Sequence, residues 1–322
     1  MAVVRWGMIG CGAVAEVKAG PGFHKATGSA LVAVASRDAS RARDYAERHG
    51  VARAHATAVD LIADPEVDAV YIATPPSSHD ELALLVAAAR KPCLVEKPMA
   101  LNHAACVRMI AAFEAVERPL WVAYYRRALP RYLLVRDLLR EQAIGRVSSM
   151  HIEVFEPMVS LERARSWRFD PAIAGGGLFF DMGSHTVDMV DFLIGPIESV
   201  AAVAVNTGGS YPVEDVITAS FRAAAVCGTG VWNFNADRSF DRIRLVGTDG
   251  TIAFPMFADG DVAVIRRGHE DRYSVPNPAH VHQPLIQSIV DELCGMGRCE
   301  STAASGARAS AVLERAVRGS DL

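Results

Sequence analysis

Short runs rich in valine, isoleucine and alanine alternate with alanine-rich stretches of helical period over the first ~125 residues. That alternation predicts repeated βαβ units around a parallel sheet buried on both faces. Five runs read as strands: Val3–Ile9, Leu31–Ser36, Ala69–Thr74, Pro92–Val95 and Leu120–Tyr124. Helices fit between them over Asp38–Arg48, Ser78–Arg90 and Leu101–Val116, with Ser78 and Glu81 spaced as a capping box.

After Tyr125 the period changes. A helix over Leu129–Glu141 stops at Gly145, and Val147–Val154 alternates apolar and polar side chains in period two. Further strand-like runs follow at Ser199–Val205, Asp215–Phe221, Val226–Phe234, Arg242–Val246, Thr251–Phe254 and Val262–Arg266. A helix over Gly177–Leu193 is expected to cover one face of this sheet, and helices over Val281–Cys294 and Thr302–Val317 close the chain. The expected organisation is a doubly wound α/β domain over 1–125 and an α+β domain with a large, mostly antiparallel open sheet over 126–322. A length of 322 residues suits two cores.

Composition narrows the partners. With 33 basic and 37 acidic side chains the formal charge is -4, which offers no footprint for nucleic acid or an anionic membrane surface. No stretch approaches the ~20 apolar residues of a membrane span. The opening apolar run is too short for a secretory signal and leads straight into glycines. The six cysteines are scattered, without zinc spacing, so no metal site is expected and free thiols in a reducing cytoplasm are. A small metabolite is the natural partner.

Gly10-Cys11-Gly12-Ala13-Val14-Ala15 follows the first strand and opens a helix, the context that gives a glycine turn its meaning. Gly10 permits the turn, Gly12 lets backbone amides approach a pyrophosphate, and Ala15 allows helix and sheet to pack. The second strand ends Ser36-Arg37-Asp38. A serine hydroxyl and a guanidinium suit a ribose phosphate and favour NADP(H), with NAD(H) accepted; a one-residue slip would instead put Asp38 on the ribose hydroxyls. Thr74-Pro75-Pro76 leaves a strand at the carboxyl edge, and His79 beyond it either touches the ligand or merely starts a helix. Glu96-Lys97-Pro98 leaves another strand at the same edge, placing Glu96 and Lys97 beside the cofactor.

Asp181 and His185 are four apart, so on a helix both project from one face. A carboxylate orients an imidazole, and histidine titrates where proton exchange at neutral pH requires. The motifs Gly10-Cys11-Gly12, Glu96-Lys97-Pro98 and Gly175-Gly176-Gly177 through Asp181 to His185 together resemble the Gfo/Idh/MocA oxidoreductases, over essentially the whole chain. The resemblance implies a Rossmann fold in the first domain and a catalytic group of Lys97, Asp181 and His185. The chemistry expected is hydride transfer between a nicotinamide and a sugar, polyol or related hydroxy compound.

The resemblance also implies a substrate-contacting arginine at Tyr124-Tyr125-Arg126-Arg127, here Arg126 beside Tyr125, unless that arginine makes a structural ion pair. Trp167 offers a face to a sugar ring or plugs an interface. A homo-oligomer, dimer or tetramer, through the second sheet is expected. Two other functions stay open: a nucleotide-binding sensor without turnover, and a glycosidase that oxidises its substrate transiently with tightly held NAD.

Overall fold

The computed structural model describes residues 3–319. The chain forms two compact units, one running to Leu129 and adding Pro278–Ala307, the other made of Pro130–Asn277 and the chain from Arg308 on.

In the first unit six strands, β1 (Val4–Ile9), β2 (Ser29–Ala35), β3 (Arg53–His55), β4 (Ala69–Ile72), β5 (Cys93–Val95) and β6 (Leu120–Val122), pair in the order β3-β2-β1-β4-β5-β6. Every pairing is parallel. β4 and β5 are buried at each position, as strands covered on both faces must be. Arg53–His55 is a strand the periodicity does not predict, because Arg-Ala-His carries no apolar run. It is fixed instead by pairing with Ala33–Ala35 and by Asp64, 3.0 Å from both Arg53 Nε and His55 Nε2.

The predicted capping box is not formed. Pro76–Ser78 makes a tight turn, Ser78 Oγ lies 2.8 Å from Thr74 Oγ1 and 3.0 Å from the Pro75 carbonyl, and the helix starts afterwards, over His79–Ala88. The expected division at 125/126 also differs from the observed one. The helix Gln283–Leu293 belongs with the parallel sheet, because the open edge of β6 takes its partner from the segment that follows it: Val122 N donates to Ser301 O at 3.2 Å and Ser301 Oγ to Val122 O at 2.6 Å. An edge strand requires cover, but its local sequence does not say from where.

The second unit holds eight strands: β7 (Val147–Pro157), β8 (Ile197–Val205), β9 (Val216–Ala223), β10 (Val226–Ala236), β11 (Phe240–Gly247), β12 (Thr251–Phe254), β13 (Val262–Arg266) and β14 (His269–Tyr273). Their order is β14-β13-β12-β11-β7-β10-β9-β8, antiparallel throughout except for the parallel pair β7 and β10. Met150, Ile152 and Val154 of β7 turn to the buried face. β14, His-Glu-Asp-Arg-Tyr, is a charged edge strand with no hydrophobic alternation to announce it.

The single helix expected over Gly177–Leu193 is divided. A π-helical turn, Phe179–Gly183, leads into an α-helix, Ser184–Leu193. Both lie on β10: the Phe179 and Trp232 rings meet edge to face at 4.9 Å, and Trp232 Nε1 donates to Thr186 Oγ1 at 3.0 Å.

Candidate active site

Strand order decides which residues of the first unit are neighbours. β2, β1, β4 and β5 lie side by side, so their carboxyl ends present Ser36, Gly10, Thr74 and Glu96-Lys97 in a row. Three strand spacings, about 14 Å, separate the first from the last. Gly10 has φ +107°, and a Cβ there would stand 2.7 Å from the Ala73 carbonyl, so the turn needs glycine. A Cβ on Gly12 would meet no protein atom within 4 Å. Glycine there keeps open space beside the start of a helix, where a phosphate fits backbone amides.

Ala13 is exposed and Val14 half-buried on the same turn, while Ala15 is fully buried and its carbonyl accepts from Tyr45 Oη at 3.2 Å. Cys11 is buried, and burial first, with Glu16 second, pushes its thiol up to about 11, so it packs rather than reacts.

At the end of β2, Asp38 caps its own helix, accepting from Ser40 N at 2.9 Å, Arg41 N at 3.3 Å and Ser40 Oγ at 2.6 Å. Those donors, Ser40 first, hold its carboxyl below the ordinary range. Ser36 is half-buried and Arg37 exposed. Pro76 is buried and Thr74 and Pro75 half-buried, as an extended loop at the sheet edge requires. His79 corrects an expectation: it is 0% exposed and both ring nitrogens face main chain, Nδ1 at 3.1 Å from Pro98 O and 3.3 Å from Met99 O, Nε2 at 2.7 Å from Thr74 O. It ties the Thr74 loop to the lysine loop and has no nitrogen left for a ligand.

Glu96 lies beneath the lysine backbone. Its carboxyl is buried and accepts from Tyr71 Oη at 2.5 Å and from Lys97 N at 3.2 Å. Burial raises its pKa, against the Tyr71 hydrogen bond and the charges of Lys97 and Lys18. His282, carried in by the returning segment, places Nδ1 3.8 Å from Glu96 Oε1 and stacks on the Tyr125 ring at 4.5 Å. Lys18 Nζ lies 5.7 Å from the centre of that ring and the Arg126 guanidinium 4.8 Å, and Arg126 Nη1 donates to Tyr125 Oη at 2.7 Å. Burial, then the charges of Lys18, Lys97 and Arg126, push His282 down to about 3.

The sequence names Glu96, Lys97, Tyr125 and Arg126 as candidates, and the structure places Tyr71, Lys18 and His282 in the same group, which the sequence does not name. Lys18 had a signal, standing on the helix that opens at the glycine turn; His282 had none, since its segment read as part of the other domain.

In the second unit Asp181 sits in the π turn, its side chain 35% exposed, with Arg168 Nε 3.6 Å from Oδ2. The Arg168 guanidinium lies over the Trp167 ring at 4.6 Å, so Trp167, Arg168 and Asp181 form one group. His185 is buried, and Phe257 stands edge-on to its ring at 6.4 Å. The Phe257 loop is clamped by Asp241, whose carboxylate accepts from the backbone N–H of Met256, Phe257 and Ala258, and by Arg131 Nη1, which donates to Pro255 O at 3.3 Å and Ala258 O at 3.0 Å. Behind the glycine triplet, the buried Glu214 accepts Gly177 N at 3.0 Å, and burial raises its pKa. Phe257 and Glu214 carry no local sequence signal, because each acts through a partner distant in the chain.

Comparison with known proteins bears on the family and the fold. Residues 4–124 match the family described as oxidoreductases with an NAD-binding Rossmann fold, and residues 132–253 match the GFO/IDH/MocA C-terminal domain. The chain is 37% identical over 290 residues to oxidoreductase P35 of Formosa agariphila, covering 89% of this chain and 90% of that protein. It is 27% identical over 308 residues to the 1,5-anhydro-D-fructose reductase of Ensifer adhaerens, covering 94% and 92%. Among solved structures, levoglucosan dehydrogenase in complex with NADH and levoglucosan superposes with a TM-score of 0.88 at 23% identity, covering 98% of this chain and 97% of that one, which establishes a common fold.

Proposed function

Because this chain belongs to the GFO/IDH/MocA family of NAD-binding oxidoreductases, we propose that it transfers a hydride between nicotinamide and the carbinol or carbonyl carbon of a sugar, polyol or related hydroxy compound. The observation that carries the reading is Lys97, which leaves β5 at the carboxyl edge, in the row that holds the nucleotide turn. The bound cofactor supplies the hydride acceptor or donor. The Lys97 ammonium stabilises the developing alkoxide, and His185 takes the hydroxyl proton on oxidation or returns it on reduction. Asp181, steadied by Arg168, positions the substrate, while Arg126 and Tyr125 supply hydrogen bonds and Trp167 an aromatic face.

Sugar-like substrates are supported by the Ensifer relative, whose name is that of an anhydrofructose reductase. NADP(H) is the preferred cofactor in this reading, with NAD(H) accepted: Asp38 Oδ1 is engaged at its own helix start, and Ser36 and Arg37 beside it are the groups suited to a ribose phosphate. The six cysteines are all free thiols, in keeping with a reducing cytoplasm, and no helix among the described residues is long and apolar enough to cross a membrane. Assembly into a dimer or tetramer through the second sheet belongs to the same reading, since an open sheet covered on one face leaves the other wanting a partner.

The test is a panel of sugars, polyols and their keto forms with NADP(H) and NAD(H), followed by nicotinamide absorbance. Net change with a sugar or polyol is expected. Glycoside cleavage without net change would replace the reading with transient oxidation, and cofactor binding without any turnover would leave a sensor. Sedimentation at micromolar concentration checks the assembly, a strict monomer refuting it.

A further inference from the structure

We infer that His282 is a positioning residue of the lysine site: its Nδ1–H faces the Glu96 carboxylate and, with the Tyr71 hydroxyl, favours its charged form beneath Lys97 against the cost of burial. The inference deepens the function proposed above and rests on it. A buried carboxylate remains ionised only where donors point at it. The groups facing Glu96 come from four directions: Tyr71 on β4, Lys97 on its own loop, Lys18 on the turn after the glycines, and His282 on the returning segment. Tyr71 donates one proton, and its own pKa, raised by burial and then by Glu96, keeps it a donor at every working pH. Lys97 N donates to Oε2, so Oε1 is shared between Tyr71 and the side from which His282 approaches.

The His282 ring is fixed there. It is 1% exposed and stacked on Tyr125, and Nδ1 has no hydrogen-bond partner among the described residues. At 3.8 Å the contact with Glu96 is not a hydrogen bond, and with the imidazole neutral above about pH 3 it is not an ion pair either. What remains is an N–H dipole. A neutral imidazole carries one N–H, and a carboxylate on the Nδ1 side selects the Nδ1–H tautomer. A neutral donor also suits a spot already beside Lys18, Lys97 and Arg126, where a further cation would be repelled.

Two measurements test this. In cofactor-free protein labelled with 15N-histidine, long-range proton–nitrogen spectra report the tautomer of His282; Nδ1–H is expected, neutral through pH 5, and an Nε2–H signal would overturn the inference whatever the protein catalyses. The second is kcat/KM against pH. A donor to the charged form lowers a carboxyl pKa, so removing it raises that pKa and brings on the acid loss of activity at higher pH. His282→Phe keeps the stack on Tyr125 and removes the N–H dipole, and its acid limb is expected to move up by about half a pH unit, the scale of a dipole near a carboxylate rather than of a hydrogen bond. His282→Asn keeps an N–H and loses most of the stack, and its limb returns toward that of the wild type. Glu96→Gln lowers kcat and makes the acid limb insensitive to the residue at 282.

A His282→Phe profile lying on the wild-type profile means that only the ring packing matters, and refutes the inference. Should the wild type turn over no substrate at all, the function proposed above fails, and the tautomer alone decides the place of His282.

Discussion

The parallel unit and the mixed-sheet unit place their polar residues by different means. In the first, the candidate groups stand on loops leaving adjacent strands, so Gly10, Thr74 and Glu96 follow one another because β1, β4 and β5 do. In the second, Asp181 and His185 ride on a π turn and helix laid over the sheet, held by contacts that include Trp232 to Thr186 and Glu214 to the Gly177 amide. A site built on strand ends is as stable as its sheet. One built on an overlying helix can be disturbed from behind by a single side chain.

The largest effect tests whether both units carry chemistry. Lys97→Ala and His185→Ala are each expected to lose roughly 10²- to 10⁴-fold in kcat, the usual worth of positioned charge and proton transfer. Cofactor affinity, measured by fluorescence titration, should stay near that of the wild type. Near-normal turnover in either variant removes that residue, and its unit's share, from the mechanism.

The next effect separates the two kinds of support. His79→Ala removes a fully buried ring together with its carbonyl contacts in the parallel unit, and should cost about 2–4 kcal/mol of stability. It should also weaken cofactor binding, because the Thr74 and lysine loops come apart. Glu214→Ala strands the Gly177 amide at about 1–3 kcal/mol and should lower kcat while leaving cofactor affinity alone. Equal losses of cofactor affinity in the two variants would erase the distinction between the units.

The same contrast explains what could be read from the sequence. Parallel strands buried on both faces are continuous apolar runs, and the glycine turn and the Glu96-Lys97-Pro98 corner are local in sequence, so the first unit and most of its site were legible. β3 and β14 were not, since Arg-Ala-His and His-Glu-Asp-Arg-Tyr are held by pairing rather than by hydrophobic period. His282 was invisible for a deeper reason: nothing near it in sequence says that its segment returns to cover β6. Asp181 and His185 were legible as a spacing, but the π turn was not, and neither was the pairing of Asp181 with Arg168. Asp38 is the converse case: it reads as an alternative ribose partner, and the structure shows it capping its own helix.

A smaller effect bears on the cofactor end of the row. Arg37→Ala is expected to weaken NADP(H) binding about tenfold, the scale of one exposed guanidinium–phosphate pair, and to leave NAD(H) unchanged. Isothermal titration with both cofactors checks it, and an equal loss for the two would mean that Arg37 serves adenine and not phosphate.

The smallest effect sets two glutamates of the parallel unit against each other. Glu16, on the turn after the glycines, pairs with Arg48 Nη2 at 2.6 Å and His49 Nε2 at 2.8 Å, and these partners, Arg48 first, hold its carboxyl down to about 2, whereas burial raises that of Glu96. A depressed carboxyl adds stability above its unfolded pKa of about 4.5, and that stability is lost as pH falls toward 2. A raised carboxyl does the reverse, its contribution fading as pH rises through the folded value. The Glu16 side chain is 30% exposed, so its pair is worth only about 0.2–1 kcal/mol and less in high salt. Relative to the wild type, the Tm of Glu16→Gln should therefore fall as pH rises from 3 to 7, and that of Glu96→Gln should climb over the same range. Slopes of the same sign would mean that the buried glutamate is as well compensated as the surface one, and that the parallel unit holds both charges by the same means.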